Sequence, residues 1–289
     1  GLSWQDLNPK SFAYGSLPFY VVWLAANFLE SVFGYQASYD HLFVVGRSIA
    51  VGLGVAAILL TQRLALAVFK NDSLALLAAT FLAFNPLHLQ LSRFVTVDIF
   101  LTTICLACLL YAVRFAGSAA WKDALLTGVF WGLSLATKIS ALSLAVPVLA
   151  ALIIAGYMRP DRLWRTFFQM LLMLIAASLA CFVSQPYAFV DYSTFLAHTQ
   201  EQINMVRGIW RPPYTVQYAD TLPFFYPLEQ MFEYTIGRLL FIAACLGVVC
   251  SLFNLVKRPL WPALLKAEAI PLFWLLAVFV SVGGMQVKF

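Results

Sequence analysis

Apolar residues along this chain gather in long runs separated by short polar breaks. Runs at about 41–61, 96–116, 139–156, 166–185, 235–255 and 268–285 approach or reach the length that crosses a bilayer core as a helix. Shorter runs occupy 73–87 and 123–137, and an aromatic-rich run at 19–35 either spans or lies in the interface. Backbone in lipid has no water to bond, so such runs predict helices. The predicted fold is all-α: a polytopic integral membrane protein of roughly eight to nine transmembrane or re-entrant helices, forming a single membrane domain over 1–289.

The polar breaks predict an orientation. Arg63 and Lys70 fall in one break, Arg114 and Lys122 in a second, Arg159, Arg162 and Arg165 in a third, and Lys257, Arg258 and Lys266 in a fourth. These four alternate with the remaining breaks, and an excess of Lys and Arg marks cytoplasmic loops. The other connections then lie outside: 1–40 with a juxtamembrane helix, 88–95, a tight turn at 137–139, 186–234 and the C-terminal end.

Composition agrees with a membrane location. The chain of 289 residues is 62% hydrophobic and only 11% charged, with a mean hydropathy of +0.85, whereas soluble domains carry roughly a quarter charged residues. Its net charge of +5 is spread through short loops and not gathered in a patch, which excludes nucleic acid as a partner. Cys105 and Cys108 form a C-x-x-C inside an apolar run without a nearby histidine or second pair, and read as small packing residues. No Gly-rich phosphate loop, G-x-S-x-G, H-E-x-x-H or Cys/His cluster occurs.

Charge on the predicted outer face is what topology leaves unexplained. Arg47 sits in the first turns of one apolar run, Arg93 and Asp98 flank another, Lys138 interrupts a third and Lys288 closes the last. Charges at membrane depth are costly and mark a pair, a pathway or a ligand site. Four cations at one surface suit a membrane-bound phosphate, which Arg grips bidentately and Lys as a point charge; the alternative is four unrelated side chains reaching for headgroups. His88 lies near Arg93 on the same side, but one histidine makes no metal site. The long polar segment 186–234 is rich in Tyr, Gln and Pro, which suits a carbohydrate-facing loop or an ordered lid, and 191–207 shows the apolar spacing of an interfacial helix.

A set of short motifs runs through the chain in order. It comprises Asn8-Pro9 with Phe12, Tyr14-Gly15 and Leu17-Pro18; Arg47; Ser92-Arg93 with Asp98; Gly132 with Ala136-Thr137-Lys138; Gln185-Pro186-Tyr187; Arg207-Gly208; Pro213-Tyr214-Thr215 with Gln217-Tyr218; and Val287-Lys288-Phe289. In this order and spacing the chain resembles the bacterial, phospholipid-carrier-dependent branch of the family C glycosyltransferases, relatives of protein O-mannosyltransferases and of the aminoarabinose transferase acting on lipid A.

The resemblance implies a multi-pass protein of the cell (inner) membrane that moves a hexosyl or pentosyl group from a polyprenyl-phosphate sugar donor. The acceptor would be a protein, lipid or glycan on the extracytoplasmic face. By position Arg47 and Lys10 resemble the family's carrier-phosphate contacts, and Arg93 with Asp98 its Ser-Arg…Asp element, which supports the site or binds donor. The outer-face charges add Lys138 and Lys288 to the expected donor-phosphate contacts, with Tyr14 and His88 as expected site support, and the polar loop makes Gln185, Tyr187, Arg207, Tyr214, Gln217 and Tyr218 the expected contacts to sugar or acceptor. In that family the catalytic acid follows the first transmembrane helix. No counterpart is found here, Asp6 not matching the acidic pair, so the acid is expected upstream of Gly1 and the chain is expected to be truncated at both ends. No cofactor is called for; metal dependence varies among the relatives, so a divalent metal stays open. A transporter or flippase is the alternative, and predicts internal repeats and broken helices near the midplane. An interaction scaffold predicts no clustering of the outer cations.

Overall fold

The computed structural model describes residues 7–34, 38–256, 266–285 and 287. Every element among them is helical. In chain order these are α1 (Leu17–Phe33), α2 (Tyr39–Phe69), α3 (Asp72–Ala83), α4 (Pro86–Leu91), α5 (Val97–Ser118), α6 (Trp121–Leu135), α7 (Ala145–Tyr157), α8 (Leu163–Ser184), α9 (Tyr187–Val190), α10 (Tyr192–Val206), α11 (Phe225–Gln230), α12 (Arg238–Val256) and α13 (Ile270–Gly283). A 3-10 helix, Ile139–Leu144, leads into α7. Four segments are long and apolar enough to cross a membrane: Tyr39–Phe69, Val97–Ser118, Ile139–Tyr157 and Pro160–Ser184. Shorter apolar helices lie at Leu17–Phe33, Asp72–Ala83, Arg238–Phe253 and Ile270–Gly283.

Local chemistry starts and stops these helices. Ser38, Asn71 and Asn85 cap α2, α3 and α4 by accepting from the amides of His41, Leu74 and His88, the role for which short oxygen-bearing side chains are favoured. Those caps revise two boundaries. The run at 73–87 is not one helix but α3 and α4, divided at Asn85-Pro86, because proline cannot continue the ladder. The run at 41–61 extends to Phe69, so Arg63 is a helical residue and not a loop one, as Arg114 is in α5. Lys257, Arg258 and Lys288 lie outside the described residues.

The bundle is built around α5. Two thirds of its apolar window is buried in protein, against about a fifth for α2 and α8 (67%, 22% and 17%). Cys105, Cys108, Leu109 and Phe115 of α5 pack with Leu144 of the 3-10 helix, Val148, Ala151 and Ile154 from α7, Met173 from α8 and Ile270 from α13. Both thiols are free: Cys105 Sγ lies 3.7 Å from Ser134 Oγ and Cys108 Sγ 3.6 Å from Thr127 O, so the C-x-x-C is a packing feature.

Small residues let the helices approach closely, as packing within lipid requires. On α2, Gly46, Ala50 and Gly54 form a stripe. Gly46 faces Val95, Ala50 packs with Ile99 and Phe100, and Gly54 faces Ser92 and His88. On α6, Gly128 and Gly132 lie against the backbone of Met173 and Ala177 in α8. A Cβ on Gly132 would collide with the Ala177 carbonyl, which is helix backbone and cannot yield. Gly132→Ala is expected to cost about 1–3 kcal/mol by overpacking. A thermal-unfolding series in detergent checks this, with Gly52→Ala, where the space is open, expected to melt as wild type does.

Candidate functional site

The site forms where the helical ladder breaks between α6 and α7. Ala136 ends α6 in helical conformation, and Lys138 is extended, with φ −158° and ψ 132°. The break frees the carbonyls of Ala136 and Thr137, which are buried completely. Unbonded carbonyls at such a place cost several kcal/mol, and the N-terminal segment supplies the donors. Gly15 N–H donates to Thr137 O at 2.9 Å and Leu17 N–H to Ala136 O at 3.2 Å. Gly15 has no room for a side chain, because a Cβ would overlap the Ala136 carbonyl.

This docking delivers Tyr14 to Lys138. The Lys138 ammonium sits 5.6 Å from the centre of the Tyr14 ring and donates to Asp98 Oδ1 at 3.1 Å. Asp98 stands in the first turn of α5, where a carboxylate also complements the helix dipole. Lys138 is four-fifths buried and Asp98 about half exposed (side chains 20% and 45% exposed). The lysine is thus fixed by a carboxylate and an aromatic face while the cluster stays open on the aspartate side.

Other predicted residues take up definite places around this cluster. Arg47, in the third turn of α2, adjoins Gly46, which meets Val95; Arg93 sits two residues before Val95 in the turn leading to α5. Arg47 and Arg93 are therefore in one layer with Asp98, and both are exposed, with the Arg47 guanidinium 5.9 Å from the Phe43 ring centre. Lys10 is exposed in a left-handed conformation, φ 55°, with its amide donating to Asn8 Oδ1 at 2.9 Å. His88 is buried against α2, its Nε2 3.2 Å from Gly54 O, which is two turns along α2 from Arg47. Burial pushes its imidazole below the usual range, outweighing the carbonyl contact, and so keeps it neutral.

Gln185 and Tyr187 are buried at the end of α8. Tyr187 neighbours Tyr20 of α1. The polar segment after α9 covers the same end of the bundle. Within it α10 occupies nearly the span predicted for an interfacial helix, with Asp191 as its cap. Phe12 N–H donates to His198 Nδ1 at 3.2 Å, and the Phe12 and Phe195 rings meet edge to face at 5.7 Å. Phe224 N–H donates to Gly283 O at 2.8 Å, tying the segment to α13. Arg207 and Gln217 are exposed, Tyr214 Oη lies 3.3 Å from Met205 Sδ, and Tyr218 packs edge to face on Tyr226 at 5.9 Å. Lys138, Asp98 and Tyr14 are thus in contact, whereas Arg207, Tyr214, Gln217 and Tyr218 belong to the covering segment.

The family model for dolichyl-phosphate-mannose-protein mannosyltransferases matches residues 17–185, which is more than half of the chain. The protein belongs to this family. The match runs from the first residue of α1 to Gln185, so it contains Arg47, Arg93, Asp98 and Lys138, and leaves Lys10, Tyr14 and the covering segment outside. Membership makes the protein a multi-pass membrane glycosyltransferase of the kind that uses lipid-linked sugar donors. No curated protein and no solved structure is significantly similar to it.

Among the described residues no three His, Cys, Asp or Glu side chains converge on a point where a metal would sit. Two residues that hold this end together escape a reading of the sequence. Gly15 matters through its missing Cβ, which is visible only once Ala136 is opposite it. His198 looks isolated in sequence and gains a role only through Phe12. For Gly15→Ala the expected outcome is release of the N-terminal segment: hydrogen exchange at the amides of Gly15 and Leu17 rises at least about tenfold, one backbone hydrogen bond each. Amides of α5 should be unchanged, and equal exchange in variant and wild type would refute the docking.

Proposed function

We propose that this glycosyltransferase takes its sugar from a polyprenyl-phosphate donor and works at the bundle end that carries Lys138, Asp98 and Tyr14. That end is extracytoplasmic by the distribution of Lys and Arg among the loops. The observation that carries the proposal is the Lys138–Asp98 pair at the α6–α7 break, capped by Tyr14 and lying inside the family match. As the glycosidic bond breaks, negative charge develops on the carrier phosphate, and a cation already held in place stabilises it without reorganisation.

Lys138 is that cation. Arg47 and Arg93, exposed in the same layer, bind the remaining phosphate oxygens with their planar donors. Lys10, carried over from the family resemblance, and Lys288, an outer-face cation by its place in the sequence, complete the set of phosphate contacts. Asp98 is committed to Lys138, so it positions the ammonium and is not the base that takes the acceptor's proton. Gln185, Tyr187 and the aromatic and amide groups of 186–234 face the sugar or the acceptor. The transferred group is a hexose or pentose, and the acceptor a protein, lipid or glycan hydroxyl; 1–40 and 186–234 act as outer segments of one membrane domain.

Purified protein supplied with a radiolabelled polyprenyl-phosphate hexose tests the proposal through release of carrier phosphate. Lys138→Ala is expected to lower kcat by about 100- to 1,000-fold, the usual loss on removing one group that stabilises developing charge. Arg47→Ala is expected to raise KM for the donor more than it lowers kcat. Wild-type turnover in Lys138→Ala, with donor still consumed, would sink the assignment of Lys138 as the charge-stabilising group.

A further inference from the structure

The opposite end of the bundle carries a second concentration of charge that the transfer reaction does not use. Two turns meet there, the one between α5 and α6 and the one between α7 and α8. Arg159 Nη2 donates to Gly117 O at 2.8 Å, and Gln169 Nε2 donates to Ala119 O, so the turns are joined by side chains. The contacts of Gly128 with Met173 and of Gly132 with Ala177 set α6 and α8 in a register that brings Trp121 and Lys122 beside the first turns of α8.

Five cations stand at this junction: Arg114, Lys122, Arg159, Arg162 and Arg165. Two are neutralised, Arg114 by Asp123 at 3.3 Å and Arg162 by Asp161 at 3.4 Å. Among the described residues the other three have no carboxylate partner. Lys122 and Arg165 lie over tryptophans, 5.8 Å from the Trp121 ring and 5.3 Å from that of Trp164. Arg159 is pinned through Nη2, and its Nη1 is covered by protein yet has no acceptor. The Arg159 guanidinium is thereby fixed in place and adds its positive charge to the junction, while Lys122 and Arg165 offer exposed donors to a phosphate oxygen.

The apolar surroundings say what kind of phosphate fits. Trp121, Leu163, Trp164, Phe167 and Phe168 are all more than half exposed beside these cations, at the end of an apolar span. Exposed tryptophans next to basic residues are the chemistry of a headgroup level, and the aliphatic and aromatic surface below them suits acyl chains. A soluble anion or a polar partner would gain nothing from that surface. We propose that the junction of the α5–α6 and α7–α8 turns binds an anionic phospholipid of the leaflet at this end, its phosphate held by Lys122, Arg159 and Arg165. The bound lipid bridges the two turns and so braces α6 against α8, the helices whose upper ends frame Lys138 and Gln185.

The test uses the whole protein in neutral detergent and reads lipid binding by native mass spectrometry. Phosphatidylglycerol and phosphatidylcholine of identical acyl chains are titrated, with glycerol phosphate as the tail-less anion. Wild type is expected to prefer phosphatidylglycerol, and Lys122→Gln with Arg165→Gln to weaken it by about fivefold per cation removed while leaving phosphatidylcholine unchanged. Arg63→Gln with Lys70→Gln, at the same end but on α2, is the charge-matched control and should bind as wild type does. Equal affinity for the two lipids, or equal losses in the two double variants, would overturn a defined site in favour of diffuse surface charge. Glycerol phosphate binding as tightly as the lipid would overturn the lipid in favour of a free anion. All four substituted side chains are exposed, so both variants are expected to keep the wild-type melting temperature.

Discussion

Everything at the functional end depends on how the chain pays for two free carbonyls. In a bilayer, non-helical backbone survives only where protein satisfies it, and the break after α6 leaves Ala136 and Thr137 with nothing from their own helix. The amides of Gly15 and Leu17 close that gap. Because the bond partners are backbone atoms, they demand close approach, and close approach demands a glycine. Tyr14 precedes that glycine and Lys138 follows Thr137, so satisfying the backbone also brings the aromatic ring to the ammonium. The geometry of the Lys138 cluster is a by-product of a solvation problem.

The same break explains why an ammonium can be held there. Lys138 is four-fifths buried, which would be unfavourable for an unpaired charge. It stands next to the first turn of α5, where Asp98 is both dipole-stabilised and half exposed. The pair is thus buried on the lysine side and open on the aspartate side. α5 supplies the rigid platform, since it is the helix most enclosed by others, and α2 adds Arg47 through a stripe of small residues that lets Gly46 approach Val95. Chemistry at the open face rests on packing deep in the bundle.

The two ends of the molecule treat charge differently. At the Lys138 end the buried cation is tied to a carboxylate; at the junction of the α5–α6 and α7–α8 turns five cations meet two carboxylates. The first arrangement holds one charge in a fixed place between a carboxylate and an aromatic ring. The second leaves positive charge in excess beside exposed tryptophans, which suits a standing partner and not a transient one.

The sequence alone determined the helical, membrane-embedded class, because apolar runs of spanning length admit no other backbone solution in lipid. It also predicted that Arg47, Arg93, Asp98 and Lys138 share one face, since loops alternate sides and each residue's place in a run sets its depth. The helix over 192–206 was legible from apolar spacing, and the packing role of Cys105 and Cys108 from their apolar surroundings. What the tertiary structure decided is partnership. The predicted helix at 73–87 divided at Asn85-Pro86, and His88 turned into α2 to meet the Gly54 carbonyl, beside Ser92, which fills the space that Gly54 leaves. Lys138 found Asp98 forty residues away, and Gly15 found the turn after α6, whose carbonyls the break had freed. No local pattern encodes such pairs: they follow from which surfaces the helices present to one another once packed, and a contact between distant residues has no period to read.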